Sequence, residues 1–168
     1  MIPVSIKRKI VEINKTIYRL SKEISESELV NPLLIGIPRR GDLLAKRISK
    51  YLNQFGFKHN IDTVNYKPFR DDLDEELDKS ILNITPEDRN VILIDDVIYT
   101  GRTLRASIEA VIYSGRPRSI TLTCLIDRGH RELPINPKFV GKNIPTNESE
   151  YVSVFLEEID ENDRVEVS

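Results

Sequence analysis

Apolar positions along this chain follow two periods, and the periods alternate. Ile6, Ile10, Ile13, Ile17, Leu20 and Ile24 recur at steps of three and four, which predicts a helix over residues 5–26 with one buried stripe. Asn31-Pro32 interrupts it, and Leu33-Leu34-Ile35-Gly36-Ile37 reads as a core strand. The loop Pro38-Arg39-Arg40-Gly41 follows. Asp42 is expected to cap the next helix, whose stripe is Leu43, Leu44, Ile48 and Leu52 and which ends near Gly56. Residues 61–66 alternate and predict a second strand. Residues 91–95 predict a buried strand, and 103–114 a helix stopped by Gly115-Arg116-Pro117. Ile120–Ile126 is a further apolar strand, and 151–156 and 164–167 read as strands of an edge or cap. Strands alternating with helices imply an α/β fold, with a mostly parallel central sheet and helices on both faces. The expectation is a single domain over residues 1–168, with a core to about 126 and a small hood with C-terminal strands from 127 onward.

Two stretches break the pattern. Residues 67–89 are acidic with few apolar anchors and read as a mobile loop or a short hairpin over a site. Residues 127–146 are rich in Pro, Gly and Asn, a polar segment after a core strand that is expected to fold over the sheet edge.

The most informative run is Val91-Ile92-Leu93-Ile94-Asp95-Asp96-Val97-Ile98-Tyr99-Thr100-Gly101-Arg102-Thr103. A strand, a tight turn and a helix start would present successive backbone N–H groups at a helix N-terminus, a ready site for a phosphate monoester. Asp95 and Asp96 fall at the carboxyl end of the strand, where ligands bind in open α/β sheets. Acids do not grip phosphate. They suit sugar hydroxyls or a hydrated Mg²⁺. Arg39-Arg40-Gly41 follows another core strand and belongs at the same sheet edge, where two guanidinium groups and a helix N-terminus make a second anion site.

Composition narrows the class. No apolar run is long enough for a membrane span, and the N-terminal residues lack the order of a signal peptide. Cys124 is the single cysteine and reads as a small buried hydrophobe, so a cytoplasmic protein is expected. Residues 1–60 carry 12 Lys and Arg against 5 acids, whereas 61–168 carry 13 against 22. That split hints at a polyanion partner for one half, or at solvated lysine-rich helices.

The strand–Asp95-Asp96–Thr100-Gly101 run resembles the 5-phosphoribosyl-1-pyrophosphate (PRPP) signature of type I phosphoribosyltransferases. Three further segments, Phe69-Arg70-Asp71-Asp72-Leu73, Asp127-Arg128-Gly129-His130-Arg131-Glu132-Leu133-Pro134-Ile135 and Val140-Gly141-Lys142-Asn143-Ile144-Pro145-Thr146, resemble the PyrR subfamily of pyrimidine-operon regulators. Glu157-Glu158-Ile159-Asp160-Glu161-Asn162-Asp163 fits the C-terminal end of that subfamily. The resemblance implies the type I phosphoribosyltransferase fold, a uracil phosphoribosyltransferase activity that turns uracil and PRPP into UMP and pyrophosphate, and control of pyrimidine-operon messenger RNA. It implies roles for Asp95, Asp96, Arg40 and Arg70 in catalysis. PRPP or nucleotide would be bound by Arg39, Arg40, Gly41, Asp95, Asp96, Val97, Tyr99, Thr100, Gly101, Arg102 and Thr103. Mg²⁺ would be held indirectly, with Asp95 and Asp96 reaching it through PRPP or water. An unusual cis peptide is expected in the pyrophosphate loop, involving Arg39 and Arg40. Asp127, Arg128 and Lys142 are candidates for the base, and Lys15, Arg19, Lys22 and His130 for RNA, with Tyr18 available for stacking. The first helix departs from better-known PyrR proteins, carrying Tyr18 and Lys22 where they have small polar and histidine positions. The resemblance also implies a homo-oligomer, dimer or tetramer. The alternative readings are a PRPP- or UMP-binding regulator with little activity and a purine salvage phosphoribosyltransferase.

Overall fold

The structure is a computed structural model that describes residues 12–72 and 80–168. Its centre is a five-stranded sheet, formed by β1 (Pro32–Gly36), β2 (Asn60–Thr63), β3 (Asn90–Ile98), β4 (Ser119–Asp127) and β5 (Phe139–Asn143). The spatial order is β2-β1-β3-β4-β5 and every pairing is parallel. From β1 the chain runs outward to β2, whereas from β3 it runs the other way to β4. The order therefore reverses between β1 and β3, and the loops leaving these two strands part to open a crevice there.

Helix α1 (Ile13–Ser25) and helix α2 (Gly41–Gln54) cover one face, and α3 (Arg102–Ser114) covers the other. The stripe Ile13, Ile17, Leu20 and Ile24 is buried against Leu44, Ile48 and Leu52 of α2 and Ile92 and Ile94 of β3. Leu33, Ile35, Leu93 and Cys124 face the opposite cluster with Leu104, Ala110 and Val111 of α3. Strands with apolar residues on both faces are what a buried parallel sheet requires. A separate antiparallel pair, β6 (Val152–Phe155) and β7 (Arg164–Val167), adds Val154, Val165 and Val167 to the α1–α2 side.

Several expectations need correcting. The predicted first helix starts at Ile13 among the described residues, and its expected first part, 5–11, lies outside them. β3 does not stop at the acids but runs on to Ile98. Asp42 is not the cap of α2. Arg40 occupies that position, and Asp42 sits in the first turn without a capping bond. The polar stretch after β4 contributes β5, a full member of the sheet. Its short span and the glycine at its centre hid it from periodicity. That glycine is required, because a Cβ on Gly141 would lie 2.3 Å from the Leu125 carbonyl oxygen and 2.8 Å from the Thr16 methyl. Of the acidic stretch, Lys67–Phe69 forms a 3₁₀ turn, and the middle of the predicted loop, 73–79, lies outside the described residues.

Candidate active site

The crevice at the switch point is built first by glycines. A Cβ on Gly36 would lie 2.4 Å from the Cα of Asp42, and one on Gly41 would lie 2.3 Å from the Ile94 carbonyl oxygen. Glycine at these positions thus lets the start of α2 press against the ends of both β1 and β3, which brings the Arg39-Arg40 loop beside the acids. The cis peptide of this loop joins Pro38 to Arg39, not Arg39 to Arg40. Arg39 is exposed at the loop tip. Arg40 is half-buried, and its Nη2 donates to both Asp160 carboxylate oxygens, at 3.3 and 3.4 Å. Asp160 is held below the usual carboxylate range, first by the Leu156 N–H it accepts and then by the charges of Arg40 and Arg39.

The acids interrupt the alternation of β3. Up to Ile94, odd positions face α3 and even positions face α2, but beyond the acids Val97 packs on the α2 side and Ile98 on the α3 side. Two local hydrogen bonds lie at the change. Asp96 N–H donates to the Asp95 carboxylate at 2.9 Å, and Val97 N–H donates to that of Asp96 at 2.8 Å. Each acid therefore holds its neighbour's amide with one oxygen. Asp95 is buried and Asp96 is half-exposed. Burial, followed by the charge of Asp96, pushes Asp95 well above the usual carboxylate range. Asp95 thus gains by meeting hydroxyls or a cation.

After Ile98 the chain turns through Tyr99 and Thr100 to Gly101, the N-cap of α3. Gly101 has φ +92°, a left-handed conformation that favours glycine. The first-turn N–H groups of α3 have no partner within their own helix and face the same rim as the acids. Here, among the described residues, Arg102 N–H meets only the Thr100 hydroxyl at 3.3 Å, and the Thr103 side chain is exposed. The hood fixes this turn. Glu132 and Leu133 N–H donate to the Thr100 carbonyl at 2.9 and 3.3 Å, and Arg131 donates to that of Tyr99 at 2.9 Å.

Arg70 ends the 3₁₀ turn and pairs with Asp72. Arg102 pairs with Asp71 at 2.7 Å and more loosely with Glu132 at 3.5 Å. Together Arg70, Asp71, Asp72, Arg102 and Thr103 line a cleft of about 490 Å³. The predicted base site forms a second cleft of about 340 Å³, lined by Asp127, Arg128, Gly129, His130, Asn143, Pro145 and Thr146. Asp127 and Arg128 fall in it, but their polar atoms hold the hood together. Asp127 accepts from Gly129 N–H at 3.0 Å and from Arg131 at 2.7 Å. Arg128 lies 4.0 Å over the Tyr99 ring and donates to Thr146 Oγ1 and to the Asn147 and Glu150 carbonyls. Lys142 is exposed on β5 and does not line that cleft.

The RNA candidates separate. Lys15, Arg19 and Lys22 share the exposed side of α1, near Tyr18, which stands edge-on to the stacked rings of Tyr51 and Phe55, with Lys22 4.7 Å over Phe55. Arg19 is engaged by Glu23 and by the Val140 and Gly141 carbonyls of the edge strand. His130 lies instead in the hood cleft, its Nε2 2.6 Å from the Thr146 carbonyl and its ring against Tyr99.

Sequence reasoning missed Tyr66, Asp160 and Arg47. Tyr66 stands at the same rim, its phenol pushed up by burial and then by the charge of Asp95. Only its neighbourhood to the acids, invisible in the sequence, marks it.

Comparison with known proteins agrees with this geometry. Residues 8–160 match the phosphoribosyl transferase domain family. The chain is 48% identical over 161 residues to "Bifunctional protein PyrR" of Clostridium kluyveri, covering 92% of this chain and 91% of that one. It is 45% identical to the protein of that name from Streptococcus pneumoniae, covering 91% and 90%. Among solved structures, a Bacillus anthracis hypoxanthine-guanine phosphoribosyltransferase superposes with a TM-score of 0.73 at 17% identity, covering 96% and 97%. A Trypanosoma cruzi hypoxanthine phosphoribosyltransferase gives 0.72 at 19%, covering 98% and 85%. These two share the fold. The acids, the glycine-tight loops and the sequence relatives lead to one assignment: the chain belongs to the phosphoribosyltransferase family, and within it to the PyrR group.

Proposed function

We propose that this protein is a uracil phosphoribosyltransferase, converting uracil and PRPP to UMP and pyrophosphate, and that it also binds pyrimidine-operon leader RNA in response to UMP. The observation that carries the first part is the meeting of two anion-binding loops around Asp95 and Asp96 at the β1–β3 switch point. Membership of the PyrR group, for which a uracil phosphoribosyltransferase activity is expected, supports uracil over a purine.

In this reading the first-turn amides of α3, with the Thr100 and Thr103 hydroxyls, anchor the 5′-phosphate. Asp95 and Asp96 hold the ribose 2′- and 3′-hydroxyls and favour the positive charge that develops on the sugar as its bond to pyrophosphate breaks. Arg39, Arg40 and Arg70 stabilise the departing pyrophosphate. Fixing both ends of PRPP supplies much of the barrier reduction through orientation. Among the described residues no three acidic, histidine or cysteine side chains gather into a metal cage. Asp95 and Asp96 form a pair only, which fits an Mg²⁺ ion that arrives on the phosphates of PRPP and keeps most of its waters. When bound, it lowers the charge on pyrophosphate. A competition assay with PRPP, Mg²⁺ and equal uracil, hypoxanthine and guanine checks the assignment. UMP as the main product is expected. IMP or GMP would mean purine salvage, and no nucleotide a pure regulator.

The RNA reading rests on Lys15, Lys22 and the exposed Tyr18 on one side of α1. Cations would meet phosphates there and the aromatic ring an unpaired base. Gel-shift affinity for a pyrimidine-operon leader should rise with UMP at moderate salt, and no change with UMP would count against it. A homo-oligomer, dimer or tetramer, is part of the same proposal.

A further inference from the structure

Arg40 is tied to a segment that lies 120 residues away in the sequence. Asp160, its partner, is itself immobilised. Asp160 Oδ2 accepts Leu156 N–H at 2.8 Å, and Asp160 N–H donates to the Leu156 carbonyl at 2.7 Å. The turn that carries Asp160 is fastened to α2 by Arg47. That guanidinium donates to Glu158 at 2.6 and 2.7 Å and to Asp163 at 2.6 and 2.8 Å. Asp163 also accepts Glu157 N–H at 2.9 Å. Arg40 caps α2 and Arg47 lies two turns further along the same side, so the two arginines span the turn. Asp160 is thus the rigid member of its pair and Arg40 the long, adjustable one. Both bonds to Asp160 leave from Nη2, so among the described residues Nη1 keeps donor capacity beyond them.

We propose that Asp160 is a positioning residue, which orients the Arg40 guanidinium so that its remaining donors meet the pyrophosphate group of the ligand. The inference rests on the phosphoribosyl-transfer reading of this site. A planar fork held at one edge presents the other in fixed geometry, and the ligand need not order a free arginine on binding. The charge of Asp160 does not cancel this benefit, because the carboxylate is shared with the Leu156 amide.

The test is calorimetric binding of Mg²⁺-PRPP, and separately Mg²⁺-pyrophosphate, to the full chain. It compares wild type, Asp160→Asn, Asp160→Glu, Asp163→Asn, Arg40→Ala and the Arg40→Ala/Asp160→Asn double variant. Asp160→Asn should weaken both ligands by about three- to tenfold, the scale of one immobilised long side chain. Asp160→Glu, which keeps the charge but displaces it, should do the same. Asp163→Asn, which loosens the same turn without touching Arg40, should cost less than Asp160→Asn, and Asp160→Asn in the Arg40→Ala background should stay within about twofold of Arg40→Ala alone. Wild-type affinity in Asp160→Asn, an equal loss in Asp163→Asn, or an undiminished loss without Arg40 would overturn the inference and leave the transferase reading intact. A wild-type protein that binds neither ligand would overturn the reading itself.

Discussion

Asp95 and Asp62 are both buried acids, but their surroundings differ. Asp62 accepts hydrogen bonds from Thr63 N–H, Asn83 N–H, Asn83 Nδ2 and Ile84 N–H, between 2.7 and 3.0 Å. It fastens the return of the acidic loop to β2. Asp62→Asn would set an amide donor against donors and should cost about 1–3 kcal/mol in denaturant unfolding. Asp95 has one such bond and a charged neighbour, so its folded-state pKa is raised above its unfolded value. Such an acid stabilises least where it would ionise when unfolded. Its contribution is fully present below the unfolded pKa and is lost as pH rises towards the folded one. Asp95→Asn should therefore raise the melting temperature at pH 7, with the gain shrinking as pH falls into the carboxylate range. It should also abolish nucleotide formation. A gain that does not change with pH would contradict the burial argument. The pair Asp95-Asp96 was legible in the sequence because it follows an apolar run. Its division into a buried and a half-exposed acid was not, because that depends on how far β3 continues. The roles of Asp62, Tyr66 and Asp160 were hidden because their partners are distant in sequence.

At the scale of elements, the periodic segments were readable and the irregular ones were not. The α1 stripe, the α2 stripe, β3, α3 and β4 each carry enough apolar residues to fix a period. β5 escaped because pairing with β4 and covering by α1, rather than its own side chains, make it a strand. The contact of α2 with β3 is the element-level feature on which the site depends. Gly41→Ala would place a methyl 2.3 Å from the Ile94 carbonyl oxygen and force the start of α2 away from the acids. Displacements of about 1 Å can cost ~100-fold in rate, so kcat/KM should fall at least tenfold. Circular dichroism should show the helices retained. An active Gly41→Ala would show that the approach of these two loops does not set the rate.

Over the whole molecule, a parallel sheet, a reversal of strand order and a hood assemble one rim from distant parts of the chain. The first turn of α3, the acids and the Arg39-Arg40 loop come from the ends of β1 and β3, and the hood follows β4. The basic N-terminal segment supplies α1, whose exposed lysines lie on its outer face. No helix among the described residues is long and apolar enough to cross a membrane. Fold and signature could be read from the sequence because both depend on local runs. The hood's interior could not, because Arg128, Arg131 and His130 serve backbone carbonyls that only folding brings near. The most direct measurement is a crystal structure with UMP bound. The account predicts the phosphate within hydrogen-bonding distance of the Gly101–Thr103 amides, with the ribose hydroxyls on Asp95 and Asp96. A phosphate lodged elsewhere, with both acids facing only solvent, would contradict it.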